Sequence, residues 1–117
     1  MANGDSIYLV NGVAPTTYKG WKALDASSAT SGDSGWLDPL PYSKFSLEVT
    51  GIAAGDKVKL WGTNKEFPLS SDAGQLIGAE LTANGYTQFT GSYARLRVTQ
   101  SANAGGGSVT AVLLATK

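Results

Sequence analysis

From Lys44 onward the chain alternates between polar and apolar residues, with Phe45, Leu47 and Val49 on one side and Lys44, Ser46 and Glu48 on the other. A repeat of two marks a half-buried strand, because successive side chains point to opposite faces of a sheet. After the segment GIAAGD at 51–56, which predicts a turn, Val58 and Leu60 continue the inward set while Lys57, Lys59 and Trp61 point outward. Leu96 and Val98 alternate with Arg95 and Arg97 in the same way. Between these runs, Gln75 to Thr82 predicts a strand of mixed facing, with Leu76, Gly78 and Glu80 on one parity and Ile77, Ala79 and Leu81 on the other. Asn84-Gly85 is a strong turn signal, and Tyr86 to Phe89 is the expected hairpin partner of that strand. Gly105-Gly106-Gly107 predicts a flexible hairpin loop into Ser108 to Thr116, whose run Val112 to Leu114 is apolar on both faces. Such a strand is either central in the fold or covered by a neighbouring molecule.

Before Lys44 the pattern is less regular. Residues 1–17 predict an extended N-terminal arm carrying a short strand at Ile7, Tyr8, Leu9 and Val10, ended by Asn11-Gly12. The run Tyr18 to Asp25 follows, and the Ser/Ala/Gly-rich stretch Ala26 to Gly35 predicts a mobile loop. Order resumes at Trp36 and Leu37. Asp38-Pro39 and Pro41 disfavour both a helix and a central strand, so a turn is expected there.

Seven or eight short strands, spaced by roughly 8–12 residues and without a helical period, predict an all-β fold, an antiparallel β-sandwich or a jelly-roll-like barrel. The expected organisation is an arm over 1–17 and a single domain over 18–117. A length of 117 residues with 42% hydrophobic content supports one core.

Composition narrows the chemistry. The chain has no His and no Cys, so the commonest general base, the commonest metal ligand and the strongest nucleophile are missing. Disulfides and thiolate metal sites are excluded with them. Nine Lys plus Arg balance nine Asp plus Glu, so no overall field draws the chain to nucleic acid or to an acidic membrane. No apolar window approaches the roughly 20 residues of a membrane span, no secretory leader pattern opens the chain, and no Asn-x-Ser/Thr acceptor occurs. A net charge near zero suits a subunit of an assembly better than a free solute.

Candidate chemistry is sparse. Asp25, Asp33, Asp38, Asp56, Glu66, Asp72 and Glu80 are numerous enough for a hydrolytic pair, yet most stand beside Gly, Ser or Pro, where Asp is favoured by turn geometry alone. Asp33-Ser34-Gly35 resembles a fragment of a calcium loop without its ligand spacing or terminal Glu. Thr16 with Lys19 is a spacing that chance supplies in most chains. The triple glycine lacks the Lys-Ser/Thr and helix start of a phosphate cradle. Lys57 and Lys59 on one strand and Arg95 and Arg97 on another would merge into a basic patch if those strands are neighbours, the alternative being an ordinary solvated face. Trp21, Trp36 and Trp61, with five tyrosines, raise a sugar-stacking surface, although aromatics are equally favoured in β cores and protein interfaces. Trp61, placed outside by parity, points to a protein interface.

The segments KVKLWGTN, YARLRVTQ and SVTAVLLATK together resemble a pattern of small β-sandwich virion proteins of tailed bacteriophages. The matching residues are Leu60 to Asn64, an aromatic-Gly-Thr-Asn step before a loop, and Tyr93 to Val98, an aromatic-x-Arg-hydrophobic strand before a Gly-rich hairpin. The resemblance spans about Phe45 to Thr116, leaves residues 1–44 uncovered, and is greatest to capsid decoration (cement) proteins. It implies a structural protein on the outer capsid surface, often a homotrimer, that clamps the major capsid protein and uses no catalytic residue, cofactor or nucleic acid. The residues themselves offer the apolar arm Ile7 to Val10 for strand addition and the outward set Lys57, Lys59, Trp61, Arg95 and Arg97 as a partner surface. A tail, baseplate or fibre subunit and a carbohydrate-binding module are the competing expectations.

Overall fold

The computed structural model describes residues 3–7, 18–27, 31–53, 55–101 and 108–116. These form nine strands and no helix: β1 (Asp5–Ser6), β2 (Tyr18–Ser27), β3 (Ser31–Asp33), β4 (Lys44–Thr50), β5 (Lys57–Thr63), β6 (Gln75–Leu76), β7 (Gly85–Thr90), β8 (Arg95–Ser101) and β9 (Val109–Thr116). They build two antiparallel sheets, a five-stranded one in the order β1-β2-β9-β4-β7 and a four-stranded one in the order β3-β8-β5-β6. The sheets lie face to face as a sandwich, with a core drawn from both.

The two-residue period holds where it is cleanest. Phe45, Leu47 and Val49 of β4, Val58 and Leu60 of β5, and Leu96 and Val98 of β8 are all buried between the sheets. Strand β9 is the middle strand of the five-stranded sheet, flanked by β2 and β4, which accounts for its apolar residues on both faces. Ala111, Leu113 and Ala115 face the core, while Val112 and Leu114 are half-buried on the outer surface.

Strand β2 breaks its alternation for a structural reason. Its register with β9 shifts between Lys22 and Leu24, so that consecutive Ala23 and Leu24 are both fully buried. An extra residue inserted into one strand does this by turning neighbouring side chains to the same side. Within Ala26 to Gly35, read from composition as a mobile loop, residues 28–30 lie outside the described residues and both flanks are strand. Strand β2 runs on to Ser27, and Ser31–Asp33 pairs with β8 as β3.

Two expected hairpins are corrected. Residues 75–82 do not pair with 86–89. Instead β6 is a two-residue strand on β5, Leu81 bridges Val58, and β7 crosses to the other sheet to pair with β4. Aromatic packing rewards that crossing, because Phe89 stacks on Phe45 with ring centroids 5.0 Å apart. Asn84 serves the crossing as well, its Oδ1 accepting the Ile52 N–H at 2.9 Å. Likewise β8 and β9 belong to different sheets, so the connection holding Gly105-Gly106-Gly107, itself outside the described residues, links the two layers and is not a hairpin loop. The turn at Pro39 and Pro41 is present, closed by the Tyr42 N–H donating to Pro39 O.

At the N-terminus the short strand lies at Asp5–Ser6, two residues before the expected position, and pairs with Lys22 and Trp21 of β2. The Ile7 N–H donates to Gly20 O at 3.0 Å, and Asn3 Oδ1 accepts the Asp25 N–H. Residues 3–7 are therefore attached along the edge of the five-stranded sheet. Tyr8, Leu9, Val10 and the Asn11-Gly12 turn lie outside the described residues.

Candidate functional site

Strands β5 and β8 are neighbours, and their register sets Trp61 opposite Arg97, Lys59 opposite Thr99, Lys57 opposite Ser101 and Thr63 opposite Arg95. Cross-strand partners share a face, so Lys57, Lys59, Trp61, Arg95 and Arg97 gather on the outer surface of the four-stranded sheet. The merging expected of the two basic pairs is thus met in position.

Electrostatically the face is not a free cationic patch. Lys57 and Lys59 flank the Glu80 carboxylate at 3.6 and 3.8 Å, Arg95 lies 3.4 Å from Asp38, and Arg97 grips Asp33. Asp38 also meets Lys19 at 4.0 Å, whose Nζ donates to Leu40 O at 2.6 Å. With each base beside a carboxylate, the field that would attract a polyanion is largely cancelled at short range.

The segment 64–74 folds back over this surface and is held there at several points. Arg97 donates Nε and Nη2 to the two oxygens of Asp33, and Nη1 to the carbonyls of Ser70 and Asp72, each at 3.0 Å. Its guanidinium carbon sits 5.3 Å from the Trp36 ring centroid, and Trp36 Nε1 donates to Leu69 O at 3.1 Å. Asp72 accepts the Leu69 N–H at 2.9 Å and meets Lys65 at 3.3 Å. The segment returns through Gly74, whose φ of +74° suits glycine and whose Cβ position lies 2.7 Å from Gly62 O.

Two carboxylates carry the signature of this network. Burial pushes the Asp33 carboxyl up, but hydrogen bonds from Arg97 and from the Gly35 N–H, with the Arg97 charge, outweigh it and leave the group below its ordinary value of 3.8. Asp72 is also held below 3.8, first by the Leu69 N–H and then by Lys65. The Arg97 guanidinium is raised by its bond to Asp33.

What the tethered segment presents is apolar. Phe67 is 80% exposed and Leu69 is 68% exposed, two large hydrophobic side chains lifted off a surface that is otherwise hydrogen-bonded. Trp61, the aromatic singled out by parity, is half-buried beside Ser71 to Ala73, and its Nε1 donates to Thr99 Oγ1 at 2.8 Å. Trp21 belongs to the core. Trp36 has Arg97 over its ring, so among the described residues the most exposed aromatics are Phe67 and Tyr86, the latter bonded through its hydroxyl to Glu48, and not the tryptophans.

Sequence reading brought Lys57, Lys59, Trp61, Arg95 and Arg97 to this face and missed Phe67 and Leu69. The available signal was Phe67-Pro68-Leu69 itself, two bulky apolar residues within a stretch of turn-forming residues and without any strand period. Ile7 lies away from this face, on the β2 edge of the other sheet. Among the described residues no cluster of three or more Asp or Glu side chains is arranged to hold a metal ion, and no helix is long and apolar enough to cross a membrane. No family model matches this chain, and no curated protein matches it significantly.

Proposed function

We propose that this chain is a structural binding protein without catalytic chemistry, a capsid decoration protein that docks on the major capsid protein of a bacteriophage head and stabilises the shell. The observation that carries the reading is the 64–74 segment: five side-chain contacts, from Arg97, Trp36, Asp72 and Lys65, tie it to the sheet or to itself, and it exposes Phe67 and Leu69. A pre-ordered loop loses little entropy on docking, and exposed large apolar side chains on such a loop are the usual anchors of a protein interface. Burying both would contribute about 3–6 kcal/mol before the cost of association. The β-strand pattern around Leu60 to Asn64 and Tyr93 to Val98 supplies the virion context, and the apolar run Ile7 to Val10 would add a second contact by strand addition.

The test is to assemble virions in the presence of a labelled copy and image them. Label on heads is the expected result; label confined to tails, or found on no particle, excludes a decoration role. Phe67→Ser combined with Leu69→Ser should weaken head binding at least tenfold while leaving the melting temperature within a few degrees of the parent. Equal binding by that double variant would remove the loop from the interface.

A further inference from the structure

Strand β7 ends the five-stranded sheet, and among the described residues no strand pairs with its far side. The Gly91 N–H donates to Ser43 O at 2.9 Å, which fixes the phase of the β4–β7 ladder. Bonded and non-bonded pairs alternate in antiparallel strands, so Gly85, Thr87 and Phe89 bond to β4. The backbone N–H and C=O groups of Tyr86, Gln88 and Thr90 then point away from the sheet. The other sheet edges, β1, β3 and β6, are two or three residues long, whereas β7 has six. Its sequence GYTQFT holds no charge and no proline, the devices by which proteins keep an edge from pairing.

The outer surface beside this edge is complementary to itself. A shallow hollow of about 490 Å³ opens among Lys44, Ser46, Gln88, Thr90, Leu114 and Thr116. On the same face Tyr86 is 72% exposed, four residues along the same strand from Thr90, with its hydroxyl donating to the Glu48 carboxylate of β4. In the β4–β7 register Lys44 is level with Thr90, and Glu48 is level with Tyr86.

We propose that two copies of the chain pair antiparallel through β7 about a two-fold axis at Gln88, joining their five-stranded sheets into one of ten strands. In that register Gln88 faces Gln88, and Tyr86 of each copy faces Thr90 of the other, so the three outward residues exchange backbone hydrogen bonds. Each Tyr86 ring, held by its own Glu48, then borders the hollow of the other copy, whose rim Thr90 supplies. Each Phe89, half-buried in one copy, gains Thr87 of the other as a close non-bonded neighbour. The two-fold axis also runs the Lys44 row of one copy into the Glu48 row of the other, so opposite charges flank the seam, and a formal net charge of zero opposes no self-association. The inference stands independently of the capsid reading, and its two-fold pair differs from the trimer that the resemblance implies.

Sedimentation equilibrium of the full chain, over a micromolar to near-millimolar series, should show a reversible rise from 12.1 kDa to twice that mass. Gln88→Lys sets two like charges opposite each other at the axis and should weaken pairing at least about tenfold. Because the chain has no cysteine, Gln88→Cys gives a clean second readout. Bonded pairs hold Cα atoms about 5.5 Å apart, within disulfide range, so mild oxidation should link Gln88→Cys into a covalent dimer far faster than an off-edge Thr82→Cys control. A monomer across the whole series, a mass of three copies, an unaffected Gln88→Lys variant, or equal rates for the two cysteine variants would each overturn the proposal.

Discussion

Arg97 shows how much one side chain organises in this small domain. From the middle of β8 it bonds Asp33 at the end of the neighbouring β3, accepts the Trp36 ring against its plane, and reaches the carbonyls of Ser70 and Asp72. Only a planar fork with several fixed donors makes these contacts together, so lysine retains the charge and loses the geometry. Arg97→Lys is expected to destabilise the protein by about 1–3 kcal/mol in urea unfolding. Amide exchange at residues 69–72 should rise more than exchange in β4 or β9. The sequence placed Arg97 on an outward face by parity alone. It gave no sign of Asp33 or Trp36 as its partners, since they are separated from it by more than sixty residues and joined to it through the pairing of β3 with β8 and the Leu37–Leu96 bridge.

The 64–74 segment behaves as an element although it has no secondary structure of its own. Its attachment depends on two carboxylates whose folded values lie below 3.8. A depressed carboxyl value means that the folded state favours the charged form, so the stabilisation is complete above about pH 4 and is lost as pH falls through the folded values. Release of the segment, followed by Trp36 fluorescence, should therefore have its midpoint below pH 3.8. Asp72→Asn should leave the segment looser at neutral pH and flatten the acid transition. At the other edge of the molecule, β1 makes removal of residues 1–15 a change to the five-stranded sheet as well as to the arm. Substitutions confined to Ile7 to Val10 separate the two contributions. Elements with strict alternation, β4, β5 and β8, were legible residue by residue. Strand β3, made of Ser, Gly and Asp, was not, because its stability comes from bonding to β8 and not from any side-chain preference.

At the scale of the whole molecule the sandwich rests on a shared core in which Leu24, Leu47, Leu96 and Leu113 are fully buried and come from four strands in both sheets. Leu113, at the centre of β9, is expected to cost about 2–5 kcal/mol on truncation to Ala, read as a lower urea midpoint with an unchanged slope. Several consecutive strands alternate between layers, from β4 to β5, from β6 to β7, from β7 to β8 and from β8 to β9. Local turn signals such as Asn84-Gly85 therefore mark crossings where adjacency along the chain suggested hairpins. By itself the sequence determined the all-β class, the inward faces of the regular strands, the doubly apolar character of β9 and the absence of His and Cys chemistry. These follow from side-chain type and a period of two, which are local quantities. Only the tertiary structure decided which strands are neighbours, which bases meet carboxylates, that Phe67 and Leu69 stand free, and that β7 is left as an open edge. Those depend on which of many similar strand pairings fills one core, and that choice is made by packing between residues far apart in the chain.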